Sequence, residues 1–164
     1  MRKIITILLV FSAGMANAQV YKGKGDIKFQ VGANFQDGAT GINVTTDFGI
    51  GKNMSYGFSA TYLLSADKIL DVKPKFEDRI DAKARFNAHL ADVLGIEDKF
   101  DIYPGLDLGL RNFGAHIGAR YFFTDGIGVY TEAGFPIAKY DPHLSGFDYY
   151  NNQFTVNAGL SFNL

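Results

Sequence analysis

The stretch Gly118–Phe135, GARYFFTDGIGVYTEAGF, alternates residue by residue between two kinds of side chain. Ala119, Tyr121 and Phe123 stand against Gly118, Arg120 and Phe122. After TDG, Ile127, Val129, Thr131, Ala133 and Phe135 stand against Gly128, Tyr130, Glu132 and Gly134. A period of two puts each set on its own face of a β-strand. One face is apolar; the other mixes glycines with charges of both signs. A chain written this way must place one face in water and find a solvent for the other.

The same period recurs along the chain. It predicts eight strands: Ile27–Phe35, Ile42–Ile50, Tyr56–Leu64, Ile80–Leu90, Phe100–Leu110, Phe113–Phe123, Ile127–Ile137 and Phe154–Leu164, with no helix between them. The connections at one end are tight, at Lys52–Met54 and Thr124–Gly126, with Ala91–Asp98 as the exception. The other end includes the long Ser65–Asp78 and Ala138–Asn152. An even strand count with short turns at one end and longer loops at the other is the layout of an outer-membrane barrel. In TDG, Phe123 and Ile127 share a face, which implies a three-residue turn with Gly126 in the left-handed region. Pro104 interrupts the fifth strand and predicts a bulge, or regular pairing that begins after it.

The first residues read as a processing signal. Arg2 and Lys3 precede Ile4–Phe11, IITILLVF, which is too short to span a bilayer, and small residues close the segment at Ala16–Ala18. The expected domains are a signal peptide over 1–18 and a barrel over 19–164. Loss of Arg2 and Lys3 takes the formal charge from −1 to −3, a mild balance with no call for a nucleic-acid partner. The chain has no cysteine, so an exported barrel holds itself together without disulfides.

Soluble eight-stranded barrels also alternate, with the apolar face inward. Two features point the other way. On the apolar face Phe48, Tyr56, Phe58, Phe86, Phe100, Tyr121, Phe123 and Phe162 gather toward the tight turns. Phe35, Tyr62, Phe113, Phe135 and Phe154 gather toward the long loops, with Ala33, Val44, Ala60, Ala84, Leu106, Ile117, Thr131 and Ala158 between. Two aromatic belts around an aliphatic band fit two membrane interfaces around hydrocarbon. The polar face is rich in glycine, as the crowded inside of a small barrel requires. It also carries Lys28, Arg79, Lys83, Arg85 and Arg120 against Asp47, Asp81, Asp101, Asp107 and Glu132. Buried charges of both signs should pair and fill the lumen. The turn register sets Arg120 opposite Tyr130, with Glu132 one diagonal step away as its expected partner. Asn87, on the lumen face, is expected to accept Ser.

With GARYFFTDGIGVYTEAGF, DIYPGLDLGL (Asp101–Leu110) and the closing FTVNAGLSFNL (Phe154–Leu164), the mature chain resembles the small eight-stranded outer-membrane barrels of the OmpA/OmpX type. More narrowly it resembles uncharacterised barrel families of Bacteroidetes. The resemblance implies an up-and-down transmembrane β-barrel in a Gram-negative outer membrane, in contact with outer-membrane lipid and inserted by the barrel assembly machinery. Barrels of this type serve as membrane–wall linkers or adhesins, or have no assigned task, so the fold does not carry the function.

His89 and His116 fall on the lumen face, as network members. His143, in KYDPHLSGFDYYNN, stands near Asp141, Ser145 and Asp148, but no spacing there brings a nucleophile, a base and an orienting group together. No catalytic set, cofactor site or metal site is expected. The last long loop presents Tyr140, His143, Phe147, Tyr149 and Tyr150, either as an extracellular interaction surface or as a cap packed on the barrel mouth. A non-enzymatic structural or adhesin-like surface protein leads. A barrel binding or passing apolar molecules, or a lipid-modifying enzyme, stands behind it. The protein should fractionate with the outer membrane, lacking Met1–Ala18, and run with heat-modifiable mobility; recovery as a detergent-free soluble monomer would rule the barrel reading out.

Overall fold

The computed structural model of the protein describes residues 20–68, 71–96, 99–141 and 146–164. The expected signal peptide, His143 and Ser145 lie outside the described residues. Eight strands follow one another: β1 (Ile27–Gln36), β2 (Ala39–Gly49), β3 (Met54–Ala66), β4 (Ile80–Ala88), β5 (Phe100–Gly109), β6 (Asn112–Phe122), β7 (Ile127–Lys139) and β8 (Thr155–Asn163). Each pairs antiparallel with the next, and β8 closes on β1 from Lys28↔Asn163 to Gln36↔Thr155. The result is a closed up-and-down transmembrane β-barrel, in which no strand leaves an open edge.

The apolar face points outward. Ile117 is 52% exposed and Phe58 58%, whereas Arg120 and Tyr103, on the other face, are buried to 1% and 0%. Phe48, Tyr56 and Phe86 form one row across β2, β3 and β4 near the tight turns. The small residues Ala60 and Ala82 pair in the middle of the wall. Inside, glycines make room for rings. A Cβ on Gly118 would overlap the Tyr103 ring, and one on Gly105 would overlap the His116 imidazole.

Three local expectations are revised. Gly126 does not adopt left-handed backbone. Instead the Thr124 hydroxyl accepts the Ile127 N–H at 3.1 Å, a side-chain turn that leaves Phe123 hydrogen-bonded to Ile127. Arg79 is no mid-strand lumen residue; it ends the single-turn helix α1 (Phe76–Arg79) in the loop before β4. A second single-turn helix, α2 (Ala91–Leu94), fills the β4–β5 connection and stops at Gly95, whose φ is 63°. Pro104 stays in register with Ile117 of β6, while the ladder with β4 ends at Asn87↔Gly105. Pairing on the β4 side thus begins just after the residue that lacks an N–H donor.

Ile117→Arg and Ala84→Arg place a charge at mid-wall on the lipid face, and each should destabilise the barrel by about 2–4 kcal/mol. Ser59→Ala, on the lumen side of β3, should cost much less. Denaturant unfolding in lipid vesicles checks this; a Ser59 variant worse than both arginine variants would mean the faces are inverted.

Candidate functional site

Within the wall, the inward charges Lys28, Asp47, Asp81, Arg85, Asp107, Arg120 and Glu132 are buried, and Lys83 is partly so. They pair across the barrel. Arg85 on β4 donates to Glu132 on β7 at 2.6 and 3.4 Å and lies 3.3 Å from Asp47 on β2. Arg120 on β6 donates to Asp101, its direct partner on β5, at 2.9 Å, and its guanidinium covers the Tyr103 ring at 4.6 Å. Asp47 therefore sits between two guanidiniums, with Arg120 at 4.0 Å. Lys28 pairs with Asp26 and donates to Asn163 at 3.0 Å. Asp107 lies 3.0 Å from His116, and Asp81 3.7 Å from Lys83.

The expected register holds, with Arg120 opposite Tyr130, but the expected Arg120–Glu132 pair does not form. Glu132 stands opposite Gly118 and reaches across to Arg85. Arg120 turns instead to the carboxylate beside it on β5. Asn87 is also not a permissive position. It is fully buried, donates to Ser55 Oγ at 3.0 Å and accepts from His116 and Arg85.

Between the long loops and this charged layer lies a polar cavity of about 20 Å³, lined by Asn34, Asn43, Asp81, Asp107, Glu132 and Asn157. A space of that size holds about one water molecule. Below it, Tyr103, Arg120 and Phe122 are essentially inaccessible, so side chains fill the lumen.

One set has the atomic order of a hydrolytic triad: Ser55 Oγ lies 2.8 Å from His89 Nε2, and His89 Nδ1 lies 2.7 Å from Asp101. Its surroundings are those of a structural bridge. Ser55 is 1% exposed, its oxygen already accepts from Asn87, and the Tyr21 ring stacks on His89 at 3.8 Å. Sequence reasoning assigned no role to Ser55 or Tyr21, because the partners of Ser55, Asn87 and His89, are 32 and 34 residues away, at and just past the end of β4, and Tyr21 precedes the first strand.

The loops are tied to the rim. Tyr150 is buried against Ala39 and Leu63, stacks with Phe147, and donates to the Asp67 carbonyl at 2.9 Å. The Tyr149 hydroxyl donates to Asp37 at 2.8 Å; that hydrogen bond, ahead of burial, raises the phenol pKa. Asn151 N–H donates to Gln36, and Asn112 donates to Asn152. Tyr150 and Phe147 are thus cap residues. Tyr140 remains 54% exposed, beside a rim groove of about 200 Å³ lined by Leu110, Arg111, Asp141, Asp148 and Asn152.

The Arg85–Glu132 pair gives a specific energetic expectation. Glu132→Ala alone should destabilise by roughly 3–5 kcal/mol, because Arg85 stays buried and loses its strongest partner. The Glu132→Ala/Arg85→Ala double variant should cost less than the sum of the singles. Arg120→Ala in place of Arg85→Ala should be closer to additive. Unfolding midpoints of the single and double variants test the assignment.

Comparison with solved structures finds a designed transmembrane β-barrel at a TM-score of 0.58 and 8% identity, covering 87% of this chain and 98% of that one. Outer Membrane Protein G from Pseudomonas aeruginosa aligns at a TM-score of 0.43 and 10% identity, over 88% of this chain and 99% of that one. The first likeness is one of fold alone. No curated protein matches the chain. The sequence profile of a family of unknown function, DUF6646, matches residues 11–164, and the chain belongs to that family.

Proposed function

We propose that the protein is an integral outer-membrane barrel of the OmpA/OmpX type, from a Gram-negative cell and of the Bacteroidetes kind. In this reading it is exported by the signal peptide over 1–18 and inserted by the barrel assembly machinery. It then acts as a non-enzymatic, adhesin-like surface protein. The tight turns and both termini of the barrel face the periplasm, and the long loops face outward, as in membrane barrels generally.

The observation that carries the surface role is the contrast between the two ends of the last long loop. Tyr150 and Phe147 are packed down, whereas Tyr140 stands free over the rim groove beside Arg111. Arg111 is itself held, donating to the Glu77 carbonyl at 2.6 Å and lying 3.7 Å from Asp148. An exposed aromatic on a fixed platform binds without first ordering a loop. The polar, filled lumen supports this role over passage of apolar molecules.

Tyr140→Ala should lower adhesion of cells displaying the barrel while heat-modifiable mobility stays unchanged. Exchange of residues 138–152 for a short turn should abolish it. Adhesion unaffected by either change would overturn the surface role. Steady ohmic channels from the purified wild-type protein in planar bilayers would put transport in its place.

A further inference from the structure

Ahead of β1, residues 20–26 turn back into the barrel at its tight-turn end. Val20 is 1% exposed and packs on Phe122, which points inward from the last position of β6. The Tyr21 ring lies flat on the His89 imidazole, with 16° between the planes. Its hydroxyl points at two carbonyls of the β2–β3 turn, 2.5 Å from Met54 and 3.0 Å from Gly51. Lys22 and Lys24 face water. The reversal is made by two glycines, Gly23 and Gly25, with φ of 86° and 89°, and by the Asp26 N–H donating to the Gly23 carbonyl at 3.1 Å. Gly25 N–H then donates to Gly49, and Gly49 N–H to Asp26. A Cβ on Gly49 would overlap the Gly23 carbonyl, so the end of β2 is shaped to receive this turn.

Two features separate this segment from the barrel it closes. Val20 and Tyr21 lie outside the strands and are held by side-chain contacts. Their receiving groups, Phe122, His89 and the carbonyls of Gly51 and Met54, are supplied by the barrel and by its turns. Such contacts can open without breaking the sheet. Phe122, on which Val20 packs, pairs with Gly128, and Gly128 with Ser161, so Ser161, 0% exposed, is an inward residue at the level of Phe122.

We propose that the tight-turn mouth is a peptide socket, filled by the chain's own residues 20–25 as a detachable stopper. Its ligand is an aliphatic–aromatic pair followed by a glycine turn. The apolar residue seats on Phe122, and the aromatic one stacks on His89 with its hydroxyl on the β2–β3 turn. The proposal stands apart from the surface role, which concerns the opposite end.

The chain has no cysteine, so Ser161→Cys gives a single reporter behind the stopper. In vesicles or detergent, a small water-soluble thiol reagent should modify it slowly in the full mature chain. In a chain lacking residues 20–25, modification should be at least about tenfold faster, the stopper being the local cover. A synthetic peptide of sequence QVYKGKG should restore protection, and a scrambled one should not. Equal rates with and without the segment, in barrels that both show heat-modifiable mobility, would overturn the stopper. Acceleration that the peptide cannot reverse would overturn the socket. If the deleted chain does not fold, Tyr21→Ala and Val20→Asp serve in its place, and the proposal fails if neither speeds modification.

Discussion

Hydrocarbon offers no hydrogen-bond partner, so a chain that crosses it with strands must satisfy every backbone N–H and C=O within its own sheet. Closure of β8 on β1 does this, and the rest of the molecule follows from it. Once the sheet closes with its apolar face outward, polar side chains have nowhere to go but a lumen too narrow for bulk water. There they must satisfy one another. At the centre of the barrel Arg85 donates to Glu132 and Arg120 to Asp101, while Asp47 is held between the two guanidiniums by charge, without a hydrogen bond.

Filling so narrow a space needs absences as well as side chains. The Tyr103 ring lies where a Cβ of Gly118 would be, and His116 where one of Gly105 would be. The charged layer also supports the weakest seam. The ladder between β4 and β5 ends at Asn87↔Gly105, next to Pro104. Just beyond it, His89 and Asp101 join the same two segments through side chains at 2.7 Å, and the Leu90 N–H donates to the Ile102 carbonyl. A backbone interruption is offset by a buried polar bridge. In the Ser55–His89–Asp101 order each ring nitrogen of a buried imidazole has a partner.

The two ends of the barrel are closed by different means. At the long-loop end, Tyr150 packs on Ala39 and Leu63, and amide side chains stitch β1, β6 and the last loop together. At the tight-turn end the cover is Val20 and Tyr21, which lie outside the strands, while Gly25 and Asp26 bond to Gly49 at the end of β2. Outside these covers, Tyr140 stays 54% exposed beside the rim groove that Arg111 lines.

Strand number, strand limits to within about three residues, the face of the inward charges other than Arg79 and the register of the β6–β7 hairpin were legible in the sequence. A period of two records the inside and outside of every strand directly, and a one-residue slip would turn every side chain over. Pro104 was legible for the same reason, since a missing donor can be located without knowing its neighbours. Pairing within the lumen was not. Register tells which residues share a level, but Glu132 found Arg85 across the barrel rather than Arg120 diagonally beside it, and only the closed diameter sets that choice. The roles of Asn87 and Ser55 were invisible because each depends on groups from several strands. The stopper was missed because Val20–Asp26 carries no period at all; its order comes from Phe122, His89 and the β2–β3 turn, which meet only when the sheet has closed.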